Sequence, residues 1–263
     1  RQRSVRAAVE WTLGLLDASR RRVLAHFAAF SAPFEIRVAE AVLDASGLAL
    51  EADATVASMV AELVDRSLLD RVLVGGGSFR FRLADEVVAT LTDADPDAVA
   101  SARAAIADVV FDSAVNELRR DGHPALDGSA VSLEELGGEV LPALDWFEER
   151  GDDRFVMLAG LLGTYFQAHG LVSEGREQLT RAITRFPGAP GSVLATAGAQ
   201  AGFLAWYQGD GRECARLLQQ VTERLDEVPL PGFADMVEGC RAFSEGRHVA
   251  AADHLDAATS VVD

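Results

Sequence analysis

The chain has 263 residues, 49% of them hydrophobic, and a formal net charge of -17. That is enough apolar material for one large domain or two ordinary ones. The acidic balance argues against sequence-independent binding of DNA or RNA and against docking on anionic membranes, which both need clustered Lys and Arg.

Aromatics are 7% of the chain while alanine and leucine dominate, which favours helices over sheets. The basic stretches RQRSVR and SRRRV are the candidates for a local patch, and charge runs of this kind usually form solvated helix faces or ends. Cys214 and Cys240 form no CxxC pattern and no Cys/His spacing that suits zinc, so they read as small buried residues. No signal peptide and no apolar run of about 18 residues is present. The chain starts at Arg1 and stops at Asp263 inside a helical pattern, and reads as a fragment of a longer protein.

In chain order, the spacing predicts a first helix over Ser4 to Leu16, with Val5, Val9, Trp11, Leu13 and Leu16 as its apolar positions. Asp17 is an N-cap for a second helix carrying Val23, Leu24, Phe27 and Phe30. A third helix covers roughly Glu35 to Leu43. A fourth starts after Asp53 or Thr55 and carries one apolar stripe of Val56, Met59, Val60, Leu63 and Val64. Two alternating apolar runs then flank Gly75-Gly76-Gly77, a hairpin signal. The second run, SFRFRL, puts Phe79 and Phe81 on one face and Arg80 and Arg82 on the other. Helices, a further helix, a hairpin and another helix make a winged-helix arrangement, with the hairpin as the wing. The helix before the wing, TVASMVAELVDRS, is where a DNA reader would sit. It sets one Arg against Glu62 and Asp65. Pro96 fits the first turn of a long helix that runs to about Arg120. DGHPALDGS reads as a loop, and from Ser132 onward the pattern is helical.

The second half repeats. Gly163 and Gly170, Gly202 and Gly209, and Gly239 and Gly246 are three pairs, each spaced by seven. Five residues beyond each second glycine comes a small residue, Gly175, Cys214 or Ala251; twelve beyond comes Ala182, Val221 or Ala258. A glycine that ends one helix, and small residues that let the next one approach closely, predict stacked helical hairpins. LLGTYFQAHGLVSEGREQLTRAITRFP resembles the tetratricopeptide consensus at Leu162, Gly163, Phe166, Gly170, Ala182 and Pro187. The expected fold is therefore mainly α: a winged-helix domain over 1–95, a helical connector over 96–150, and a truncated tetratricopeptide-like α-solenoid over 151–263.

VRAAVEWTLGLLDASRRRVLAHFAAFSAPFEIRVAEAVL resembles the segment after the nucleotide-binding core of STAND-class ATPases, especially bacterial regulators of the AfsR and large LuxR type. MVAELVDRSLL, FRFRLADEVVATL and VLPALDWFEERGDD resemble later segments of the same family, in the same order. The resemblance implies a cytoplasmic transcriptional regulator that binds ATP or ADP with Mg in an upstream domain. It implies that the winged helix folds on that nucleotide-binding domain and senses the nucleotide. The family's Met-His-Asp motif falls on Leu83, Ala84 and Asp85. Ala84 replaces the His, so that side chain makes no phosphate contact, while Arg82 supplies positive charge; the segment Arg82, Ala84 and Asp85 is the expected nucleotide sensor, the alternative being that Asp85 caps the helix and the segment is core.

The chain itself carries no GxxxxGK[ST], no GxSxG and no cluster of its five His residues, so no catalytic site, metal site or cofactor is expected in it. Glu134-Glu135 and Glu148-Glu149 read as solvated helix carboxylates. Stacked hairpins would line a concave groove with their first helices. The consensus register puts Thr164 and Gln167 there, then Phe203, Trp206 and Tyr207, then Phe233, Met236 and Phe243. This apolar groove is the expected site for a protein or small-molecule effector. The expected function is a regulatory arm that relays this signal to the nucleotide state. The alternatives are a nucleotide-independent scaffold holding a partner helix, and direct DNA binding by the winged helix.

Overall fold

Asp17 accepts the Arg20 N–H at 2.8 Å and starts a helix at the next residue, as its sequence position predicts. The computed structural model describes residues 2–50, 54–74, 78–120, 131–222, 224, 228 and 232–260. The chain divides into two compact units, residues 1–146 and 147–263.

The first unit opens with α1 (Gln2–Gly14), α2 (Ala18–Phe27), α3 (Ile36–Ala45) and α4 (Val56–Asp65). Helix α1 buries Leu13 but leaves Trp11 69% exposed, against its sequence assignment to the apolar stripe. Trp11 lies two residues from Val9, about 200° around the helix, and so faces away from the Val9 and Leu13 side. Helix α4 opens on a reciprocal capping box. Ser58 N–H donates to the Thr55 hydroxyl at 3.1 Å, and Thr55 N–H donates to the Ser58 hydroxyl at 3.0 Å. Its buried residues are Val56, Met59, Val60 and Leu63, the i, i+3, i+4, i+7 stripe.

The wing follows as β1 (Leu69–Leu73) and β2 (Phe79–Leu83), antiparallel, in register from Leu69 opposite Leu83 to Leu73 opposite Phe79. Leu69 and Leu83 anchor it in the core, while Leu73 and Phe79 project into solvent at its tip. The triple glycine lies outside the described residues. On the far side of β2 is a pairing that no sequence pattern signals. Phe34, between α2 and α3, donates its N–H to Phe81 C=O at 2.9 Å and accepts the Phe81 N–H at 2.8 Å.

Helix α5 (Asp85–Ala94) then starts with Ala84 at the N-cap position and no side-chain cap. Asp85 is thus the first helical residue and not the cap of the alternative reading. Pro96 opens α6 (Pro96–Arg120), and Asp95 accepts the Ala98 N–H at 3.0 Å. Helix α6 packs across α2 and α3. The loop predicted over DGHPALDGS lies outside the described residues. Ser132 and Glu135 cap α7 (Leu133–Leu136), which runs through a 3₁₀ turn, Gly137–Glu139, into α8 (Val140–Glu149).

The second unit stacks antiparallel helical hairpins. The first is α9 (Arg154–Leu161) and α10 (Gly163–Ala168), in line on either side of Leu162, against α11 (Val172–Arg185). The second is α12 (Gly191–Tyr207) with α13 (Gly211–Thr222), and the third is α14 (Phe233–Ser244) with α15 (His248–Ser260). The glycine pairs divide the labour. At the second position Gly170, Gly209 and Gly246 adopt φ of 71°, 77° and 78°, the left-handed turn that ends a helix. Each turn is closed by the same bond one residue on: Leu171 N–H to Phe166 C=O, Asp210 to Ala205 and Arg247 to Ala242, at 2.8, 2.9 and 2.8 Å. At the first position the glycine gives close approach. A Cβ on Gly202 would lie 2.8 Å from Leu218 of α13, and one on Gly239 would lie 2.8 Å from Leu255 of α15.

Glu148 does not lie on a solvated face. It is buried, and α11 brings Arg185 and Arg181, one turn apart, to 2.6 and 3.3 Å from its carboxylate. Such a group is tolerated inside only because it is paired. Glu135 is likewise engaged, in its capping box and with Arg37 at 2.9 Å. Glu134 and Glu149 are exposed, as expected.

Gly202→Val should lower stability by about 2 kcal/mol, because overpacking forces α12 and α13 apart. Chemical denaturation of the chain would measure it, and an unchanged midpoint would contradict the close-packing role.

Candidate functional site

The sequence nominates two places, and they lie in different units. At the wing base, Arg82 is exposed on β2 and stands opposite Asp70 of β1. Ala84 is half-buried at the N-cap position of α5, and Asp85 is exposed in its first turn beside Glu86. A helix N-terminus with a free cap would favour an anion. Here two carboxylates already occupy the first turn, and a third, Asp70, stands opposite Arg82 in the strand register. Arg80, on the same face of the wing, is bound to Glu35 at 3.1 Å.

Helix α4, where a duplex reader would sit, turns Ala57, Ser58, Ala61, Asp65 and Arg66 outward. Arg66 is held by Glu62 at 3.0 Å, and the other oxygen of Glu62 takes Arg20 of α2 at 2.9 Å. These contacts hold the Glu62 carboxyl below the usual carboxylate range, the Arg20 hydrogen bond first among them. Arg20 also binds Asp17, and Arg6 binds Glu10 and Asp93, so two of the arginines in the basic stretches serve ion pairs.

In the second unit the predicted groove residues separate into two groups. Thr164, Gln167, Trp206, Tyr207 and Phe243 are exposed. Gln167 donates to the Tyr207 hydroxyl. Trp206 meets Tyr207 edge-on at 5.5 Å between ring centroids and meets Phe243 edge-on at 5.9 Å; Phe243 in turn meets His248 at 5.3 Å. These residues are a ledge along the ends of α10, α12 and α14, beside the glycine turns, and reach the start of α15. Trp206 is 43% exposed within this ledge.

The other group turns inward. Phe233 is buried among Leu218, Val221 and Val237, and Phe203 and Met236 pack half-buried against the same cluster. Phe233 therefore belongs to the core between α13 and α14 and lines no surface. The consensus register identified the correct helix but not its rotation at Phe233. His248 lies at the start of the second helix of its hairpin, outside the first-helix face that the consensus register assigns to the groove.

Cys214 and Cys240 pack into or against this cluster as free thiols. Burial pushes Cys214 up to about 11 and raises Cys240 as well. Thiols held in that form are poor nucleophiles at neutral pH. Among the described residues no group of three His, Cys, Asp or Glu side chains comes together that could hold a metal ion, and no helix is long and apolar enough to cross a membrane.

Residues 16–90 match a family described as a winged helix-turn-helix domain. The match spans α2 to the middle of α5 and includes the whole wing. No curated protein and no solved structure matches the chain.

Both thiols should react slowly with iodoacetamide in the native chain at about pH 8, and rapidly once the chain is unfolded, because the reactive species is the thiolate. Mass spectrometry of each cysteine over time would check this. Equal native and unfolded rates would contradict the buried, raised thiols.

Proposed function

We propose that the chain is the regulatory arm of a larger STAND-type transcriptional regulator. In this reading the hairpins, of tetratricopeptide type, receive a protein or small-molecule signal on the aromatic ledge. The winged helix relays that signal to a nucleotide-binding domain of the same protein, which holds ATP or ADP with Mg. The arm itself performs no catalysis and the protein works in the bacterial cytoplasm.

The observation that carries the reading is the outward face of α4. A helix that reads DNA needs cations and amide side chains on that face to reach bases and phosphates. Here the face is small, neutral and acidic, and its one arginine is tied to Glu62. Such a surface suits contact with protein, which is the use the STAND resemblance gives to a winged helix. The ledge supports the other half of the reading, since exposed Trp and Tyr are the residue types that anchor partners. Relay then requires two states of the arm that the signal binds unequally.

A nucleotide-independent scaffold is the second reading. The wing base favours it, because Asp70, Asp85 and Glu86 outnumber Arg82 there and oppose a bare polyphosphate.

Hydrogen exchange on a longer chain that includes the upstream domain separates the two, measured with ADP, with an ATP analogue and without nucleotide. The regulatory arm predicts protection over residues 80–88 that changes with the nucleotide. Unchanged exchange there would leave the scaffold reading. Neither reading expects this chain to retard a DNA duplex at low salt, and a shift that weakens with added salt would overturn both.

A further inference from the structure

The turn at residues 31–34 is gripped from two sides. On one side Phe34 exchanges both backbone hydrogen bonds with Phe81 of the wing, and Glu35 beside it binds Arg80. On the other side stands Glu139, in the 3₁₀ turn before α8. Its Oε1 accepts the N–H groups of Ser31 and Ala32, both at 2.9 Å, and the Ser31 side chain also bonds to it. Glu139 is only 4% exposed, and these partners are all uncharged. The two segments approach closely beside it: a Cβ on Gly138 would sit 2.2 Å from the Ala32 Cβ.

We infer that Glu139 is a proton-dependent latch between the segment 131–140 and the turn that pairs with the wing, closed when protonated and loosened when ionised. A buried carboxylate without a counter-charge is costly, and backbone N–H groups offset only part of that cost. Burial accordingly pushes the Glu139 carboxyl up to about 7, against the pull of its hydrogen bonds. Opening the seam returns it to water and to the ordinary carboxylate range. The closed form therefore holds its proton to higher pH than the open form. Closure is favoured fully below the open-form value, and that advantage is lost as pH rises through about 7.

Other charged groups lie near the seam. Arg37 of α3 and Glu135 of α7 form a second link across the seam at 2.9 Å. Glu117 of α6 accepts the Leu133 N–H at 2.8 Å, and Glu134 of α7 is exposed. None of them contributes to the shift of Glu139.

Amide exchange at Ser31 and Ala32 tests the latch, measured on the intact chain between about pH 5 and 8 and corrected for the intrinsic rates. The opening constant should rise by up to about tenfold per pH unit as far as pH 7, then level off. Glu139→Gln keeps an acceptor oxygen but cannot ionise, and should give a flat profile. A flat wild-type profile, or the same rise in both chains, would overturn the latch. If Glu139→Gln does not fold, the carboxyl carbon resonance of Glu139 in the wild-type chain decides. A midpoint at or above about 6 supports the latch, and one below it, nearer the ordinary range, overturns it.

Discussion

Phe34 gives both backbone hydrogen-bonding groups to Phe81, and the first unit is arranged around that exchange. A two-stranded hairpin is marginal on its own in water. Here the pairing with Phe34, the Arg80–Glu35 ion pair and the buried base residues Leu69 and Leu83 hold the wing against the helices. Phe34 and Glu35 lie in the segment 31 to 37, which is bound from the other side at Ser31 and Ala32 by Glu139 and at Arg37 by Glu135. One short turn thus carries the contacts of two segments that are far apart in the sequence. Whatever shifts residues 131–140 acts on the turn that positions the wing.

The second unit depends on a different constraint, the distance between antiparallel helices. Its glycines act in pairs, one allowing close approach and one turning the chain, and the closing bond recurs in all three hairpins. Because the turn geometry repeats, the ends of the first helices come into line. Tyr207, Trp206 and Phe243 consequently form a continuous ledge, where each alone would be an unremarkable exposed ring.

This division explains what could be read in advance. The Asp17 cap, the α4 stripe, Pro96 at a helix start and the glycine pairs are local signals, each complete within a few residues, and all of them are found in the structure. The wing was legible for the same reason, from two alternating runs around Gly75-Gly76-Gly77. What escaped depends on distant partners. Glu139 sits between a Gly-Gly pair and an apolar run, and nothing nearby announces that it serves an amide 108 residues away. Glu148 reads as a surface carboxylate until α11 delivers Arg181 and Arg185 to it. Phe34 pairs as a single residue, too short to leave a strand pattern. At the groove, Trp206, Tyr207 and Phe243 lie on the surface while Phe233 does not, because a repeat consensus fixes the hairpin more firmly than the rotation of each helix.

A winged helix whose reading face is small and acidic suits protein contact, and a hairpin array with an aromatic ledge suits reception of a partner. Within the first unit, the buried Glu139 carboxylate holds the turn that pairs with the wing. The central claim is that this seam and the wing are one mechanical element. A double-mutant cycle on the full chain, pairing Glu139→Gln with Arg80→Ala in equilibrium unfolding at about pH 6, tests it most directly. The account predicts a coupling of at least about 0.5 kcal/mol, since both side chains act on the same turn. Additive effects, within about 0.3 kcal/mol, would mean that the segment and the wing are held independently, and would contradict it.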